Sequence, residues 1–232
     1  MGSHIQLTAS DGHSFRAYVA QPSTPAKSSV VIIQEIFGVN SHIRCIVDDY
    51  AAQGFSAMAP ALFDRVQPGI ELKYNSADSS RGMQIATQIG FDKALLDVSS
   101  AITHAAQGTP TKKVGVVGFC WGGTLAWLAA TRLHPAAAVC YYGGQISKFL
   151  ADRPHCPVML HFGSKDKHIA ASEIQKIQQS YPDLPLFLYD DAGHGFNCDQ
   201  RPDYNAKAAN EARQRTLDFF RSQLAKTPPH EP

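Results

Sequence analysis

The chain has 232 residues, 44% of them hydrophobic and 18% charged, with a formal net charge of +1. That balance supports a sizeable buried core and excludes global disorder. It leaves no electrostatic footprint for nucleic acid or an anionic membrane, and no apolar run reaches the roughly 18 residues needed to cross a bilayer. In chain order, the β-branched run 30–34 predicts a strand, and a helix follows from Ser41, read as its N-cap, to Gln53. Gly54 closes that helix at the C′ position, and 55–59 reads as the next strand. Residues 60–80 are polar and Gly/Pro-punctuated and predict an irregular segment. A helical stretch from Arg81 to Gln107 follows, with a break at Gly90.

Further on, 114–117 is a short buried strand ending at Gly118, and 121–133 is a helix. Strands are predicted at 137–142, 158–162 and 186–189, and helices at 172–181 and 205–224. The Pro-containing tail from Lys226 reads as frayed, and Met1-Gly2-Ser3-His4 as a remnant of cloning. Those four residues lack a basic segment followed by an apolar one, so no signal peptide is expected. Near-continuous apolar strands alternating with helices predict an α/β fold, a mainly parallel central sheet with helices on both faces. No repeat or linker divides the sequence, so one domain over 1–232 is expected.

The five cysteines (Cys45, Cys120, Cys140, Cys156, Cys198) are odd in number and scattered. This fits neither a disulfide framework nor a CxxC metal site, and favours free thiols in the cytoplasm. One of them has a particular setting. Gly118-Phe119-Cys120-Trp121-Gly122 lies between an apolar strand and a helix, which is the G-x-S-x-G nucleophile elbow with sulfur in place of oxygen. The tight turn brings the residues two before and two after the nucleophile together, so both must be small. The helix start then favours a thiolate and an oxyanion near Cys120. Without that context a free cysteine is more often a small buried apolar residue, and Cys45 and Cys140 read so. Cys156 and Cys198, near turns, stay unassigned.

The α/β-hydrolase order is nucleophile, acid, histidine. Strand 158–162 leads into Gly163-Ser164-Lys165-Asp166, making Asp166 the candidate acid. Strand 186–189 leads into Asp190-Asp191-Ala192-Gly193-His194-Gly195, making His194 the candidate base. All three then sit at carboxyl ends of strands, where open α/β sheets build their sites. Asp190 and Asp191 are rivals for the acid, though their plainer role is to end the strand. His161, inside an apolar strand, reads as a core histidine, while His168 reads as a loop residue bordering the cleft. The remaining histidines, His42 among them, show no ligand spacing, so neither a metal nor a cofactor is expected.

Taken together, Asp11-Gly12-His13, Gln34-Glu35-Ile36-Phe37-Gly38-Val39-Asn40, the cysteine elbow, Tyr141-Tyr142-Gly143, Gly193-His194-Gly195-Phe196 and Glu211…Arg215-Thr216-Leu217 resemble the dienelactone hydrolase family (carboxymethylenebutenolidases) in order and over nearly the whole chain. The resemblance implies an α/β-hydrolase fold and hydrolysis of an activated ester or enol-lactone in aromatic degradation through a thioester. It gives Glu35 a part in forming the Cys120 thiolate, where pattern alone divides between that and a structural ion pair. It also points to the N–H groups of Ile36 and Trp121 as an oxyanion hole, in line with the general rule for such folds. Arg81 matches a substrate-carboxylate arginine, against the plainer reading of an exposed charge at a helix start; Tyr142 and Phe37 are further candidates for substrate contact. The family's second arginine, four residues after the histidine, is replaced by Cys198, with Arg201 the nearest arginine; Ile85 replaces a polar position. A related esterase or thioesterase, or a non-catalytic binding protein, is the alternative. The expected partner is a small ester or lactone, with no nucleic acid or membrane, and the protein a monomer or weak homo-oligomer.

Overall fold

A computed structural model describes residues 2–225, so the tail from Lys226 lies outside the described residues. Strands β1 (Ser3–Thr8), β2 (Ser14–Ala20), β3 (Ser29–Ile33), β4 (Ser56–Pro60), β5 (Val114–Phe119), β6 (Ala137–Tyr141), β7 (Val158–Gly163) and β8 (Leu186–Tyr189) form one sheet in the order β1-β2-β4-β3-β5-β6-β7-β8. From β4 to β8 every pairing is parallel, while β1–β2 and β2–β4 are antiparallel. The strand order reverses around β3 and β5, which opens a crevice beyond their carboxyl ends.

The parallel core follows from the sequence. β3, β5, β6 and β7 are buried along their whole length, as continuous Val/Ile/Leu/Ala runs require when both faces are covered. Helices α1 (Ser41–Ala52) and α5 (Ala206–Ala225) lie together, tied by Arg213–Asp49 at 2.6 Å. Helices α2 (Ser76–Gln107) and α3 (Trp121–Arg132) pack on the other side, and α4 (Ala171–Ser180) follows β7. Gly90 breaks α2 as expected, with φ 70°.

Four features differ from the sequence expectation. The β1–β2 hairpin is new: Leu7 pairs with Phe15, and Asp11-Gly12 forms its turn with Gly12 at φ 82°. Ser3 and His4, set aside as a remnant, pair there with Val19 and Tyr18. The N-cap of α1 is Asn40 rather than Ser41, because the Asn40 side chain accepts the Ile43 N–H at 3.2 Å. Helix α2 starts at Ser76 rather than Arg81: Asn75 caps it by accepting the Asp78 N–H at 2.9 Å, and a Ser/Asp-rich first turn carries no apolar period to betray it. The segment read as irregular also holds a 3₁₀ turn, Leu62–Arg65, anchored where Leu62 N–H donates to the Gln34 side chain at 3.1 Å.

Candidate active site

The elbow is built by steric exclusion. A Cβ on Gly118 would lie 1.8 Å from the Gly122 carbonyl oxygen, and one on Gly122 would lie 2.4 Å from the carbonyl oxygens of Ile33 and Gln34. Between them Cys120 takes φ 56°, ψ −116°, a conformation that L-residues disfavour, and its N–H donates to the Tyr141 carbonyl at 3.0 Å. The strand is thus turned so that Sγ stands above the sheet at the start of α3. Gly118→Ala should cost about 3 kcal/mol or more, since only backbone can move aside. Chemical denaturation of the variant, with an unchanged m-value, would measure this; wild-type stability would refute the close packing of the elbow.

Sγ of Cys120 is 3.1 Å from His194 Nε2, and His194 Nδ1 is 2.7 Å from Asp166 Oδ2. The other Asp166 oxygen, Oδ1, accepts the backbone N–H groups of His168 at 2.7 Å and Ile169 at 3.1 Å, and the side chain is fully buried. Burial works against charge on His194, but the Cys120 sulfur and the Asp166 carboxylate outweigh it and push its pKa up to about 10. Burial would likewise raise the Asp166 carboxyl; His194 and the two N–H donors outweigh that and hold it below its usual range. The rivals are elsewhere: Asp190 is exposed, and Asp191 pairs with Lys165 at the surface.

His161 is the core histidine its strand position predicts. Its ring nitrogens meet the Tyr189 hydroxyl at 2.9 Å and the Thr216 hydroxyl at 3.1 Å, and burial, aided by Arg215, drives its pKa down to about 3. His168 is exposed at the cavity wall with its ring 5.0 Å from that of His194.

A cavity of about 660 Å³ opens over Cys120. Ile36, Phe37, Met83 and Trp121 give it an apolar wall, while His168, Gln145 and Arg201 add polar groups. Ile36, Trp121 and Phe37, all singled out from the sequence, line this cavity. Tyr142 is not: it is fully buried behind His194, ring to ring at 5.1 Å, with φ 38°. A residue at the end of a strand whose neighbours line a cleft reads as a contact residue, but its strained backbone turns this ring inward. Arg81 is exposed and does not line the cavity, although Ser80 and Met83 beside it do. On a helix, residues one and two apart point in different directions, so matching the position did not match the direction.

Glu35 does not touch Sγ. It is 1% exposed, its Oε1 accepts from Arg201 Nη1 at 3.2 Å, and its Oε2 has no hydrogen-bond partner among the described residues. Arg201 is a cavity residue that sequence pattern left in the background. Its guanidinium packs over Phe37 and Tyr74, 5.8 and 5.7 Å from the ring centroids, and forms part of the cavity wall. Gly195 makes the room: a Cβ there would lie 2.6 Å from the Arg201 guanidinium carbon. Cys198 is buried close by, its thiol pushed up to about 12 by burial and by the Glu35 charge.

The dienelactone hydrolase family model matches residues 15–224. A carboxymethylenebutenolidase of Pseudomonas putida is 34% identical over 231 residues, covering 97% of this chain and 98% of its own. A Klebsiella pneumoniae crystal structure, provisionally described as a dienelactone hydrolase, superimposes with a TM-score of 0.81 at 27% identity over 97% of this chain and 100% of that one. A dienelactone hydrolase-like promiscuous phosphotriesterase from metagenomic libraries shares the fold, with a TM-score of 0.76 at 19% identity over 96% of this chain and 98% of that one. With a family match that spans the parallel strands, the elbow and the loops that carry Asp166 and His194, the chain belongs to the dienelactone hydrolase family.

Proposed function

We propose that the protein hydrolyses a small enol-lactone or similarly activated ester bearing a carboxylate, by acyl transfer through Cys120. The observation that carries this is the hydrogen-bonded run Asp166–His194–Cys120 opening into a cavity with Arg201 on its wall. The Cys120 thiolate attacks the carbonyl carbon, forming a C–S bond, while the N–H groups of Ile36 and Trp121 receive the oxyanion. The tetrahedral intermediate collapses with cleavage of the C–O bond, and the enolate takes the proton held on His194. Water then attacks the thioester, giving its proton to His194, and the C–S bond breaks to restore the thiolate.

Sulfur suits this substrate class. A thiolate leaves more readily than an amine or a simple alkoxide, so ordinary amides and esters return to reactants unless the leaving group is protonated as it departs. An enolate is stabilised and competes with the thiolate as leaving group. The buried, unpartnered Oε2 of Glu35 agrees with a carboxylate able to trade partners between Arg201 and the thiol when substrate arrives, helping the thiol proton onto His194.

Arg201 takes over, from three positions further along, the place that the family's second arginine holds. Its burial over two aromatic rings makes it the principal carboxylate clamp, ahead of exposed Arg81. Arg201→Ala should raise KM for a carboxylate-bearing dienelactone about 10- to 100-fold while changing that for a neutral aryl ester less than about threefold. Arg81→Ala should change either by less than about threefold. Equal losses on both esters in Arg201→Ala would remove the clamp. The deciding comparison is kcat/KM of the wild-type protein on a dienelactone and on a neutral aryl ester, with a preference of about 100-fold expected for the former. Parity would favour a related esterase of broader range, a reading supported by Glu35 already occupying one face of Arg201.

A further inference from the structure

We propose that the substrate carries, besides its carboxylate, an apolar group of aryl size that is received by Met83 near the start of α2. The inference deepens the acyl-transfer reading above and rests on it for the chemistry, though not for the binding.

Ser79, Ser80 and Met83 all line the cavity over Cys120. Residues three and four apart share a face of a helix, so the start of α2 turns one face to the cavity. Gly82 sets how closely that helix approaches. A Cβ there would lie 1.8 Å from the Ile36 carbonyl oxygen, so α2 rests directly on the loop whose N–H is the proposed oxyanion donor. Met83 is thereby set beside that loop, and the two serines next to it take up little room.

The apolar wall is unevenly exposed. Ile36, Phe37 and Trp121 are 8%, 3% and 8% exposed, whereas Met83 is 53% exposed. Most of the apolar surface left for a ligand is thus one unbranched thioether, a side chain that adapts to aromatic and aliphatic partners alike. A lone apolar residue on an open surface carries no message, but this one lines the cavity that holds the nucleophile. Size points the same way. The cavity volume of about 660 Å³ falls within the range of about 300–1,000 Å³ that encloses drug-sized ligands. A monocyclic lactone carboxylate would leave most of that space to water and Met83 still wet. An aryl substituent would displace the water and cover Met83, while the carboxylate meets Arg201 on the wall.

Calorimetric titration of the wild-type protein with benzoate and with meta- and para-phenylbenzoate tests the binding without any turnover. The better phenylbenzoate should bind about tenfold tighter than benzoate or more. Met83→Ala, at an exposed helical position that alanine suits, should lose most of that gain, and Met83→Leu should keep it. In turnover, the ratio of kcat/KM for an aryl-substituted dienelactone to that for the unsubstituted one should fall about tenfold in Met83→Ala. Equal binding of all three carboxylates by the wild type would overturn the proposal. So would an undiminished gain in Met83→Ala, or an unchanged ratio. Failure of the acyl-transfer reading looks different: no ester is turned over, while the calorimetric gain and its dependence on Met83 persist.

Discussion

Cys120→Ala is expected to lower kcat/KM on an activated ester by about 10⁴-fold or more and to abolish the acyl-enzyme mass seen on rapid quenching, with the fold intact. The loss is large because His194, Asp166 and the N–H groups remain in place with nothing to form a covalent bond. Water would have to enter a space shaped for sulfur, with only the proposed oxyanion donors to help. The backbone adds an independent readout. Position 120 sits at φ 56°, ψ −116°, which alanine tolerates as poorly as cysteine and glycine accepts freely. Cys120→Gly should therefore be more stable than Cys120→Ala by about 1 kcal/mol, after the greater freedom of unfolded glycine is subtracted. At this chain length that is about 2–4 °C in Tm. Turnover of wild-type order in either variant would remove Cys120 as nucleophile; equal melting temperatures would remove the strain.

What could be read in the sequence was local. Cys120, Asp166 and His194 each follow an apolar strand directly, and glycines near each mark a tight turn. Chain order then assigns their roles without knowledge of the packing. The parallel strands were equally plain, because burial on both faces forces unbroken apolar runs. The β1–β2 hairpin escaped because its edge strand, Ser-His-Ile-Gln-Leu-Thr, buries little beyond Leu7. Arg201 was visible only as a neighbour of a missing arginine. Its value comes from the space over Gly195 and the rings of Phe37 and Tyr74, which lie far away in the chain. Placement was also hidden: neither Tyr142, which is buried, nor Arg81, which is exposed, lines the cavity.

Asp166→Asn should cost about 10³-fold in kcat, for a reason the hydrogen bonds dictate. Oδ1 of Asp166 accepts two backbone N–H groups, from His168 and Ile169, so the amide of asparagine must put its oxygen there. Its NH₂ then faces His194 Nδ1, which must accept, and the neutral ring carries its proton on Nε2. That is the nitrogen 3.1 Å from Cys120, and a ring already protonated there cannot take the proton of the thiol. The charged form of His194 loses support as well. In the wild type its pKa is pushed up to about 10, with burial opposing and Cys120 and Asp166 favouring the imidazolium. A raised histidine pKa stabilises the fold fully below its unfolded value near 6.5, and that contribution is lost as pH rises through about 10. Removing the carboxylate takes away one of the two supports, so the alkaline fall in both stability and kcat/KM should move to lower pH. Asp166 itself, held below its usual range, gives stability that is present above its unfolded pKa and lost as pH falls through the folded value; asparagine erases that acid limb. Thermal melts and initial rates from pH 3 to 11 would show both limbs, and an Asp166→Asn protein with unchanged kcat and an unmoved alkaline limb would detach this carboxylate from His194.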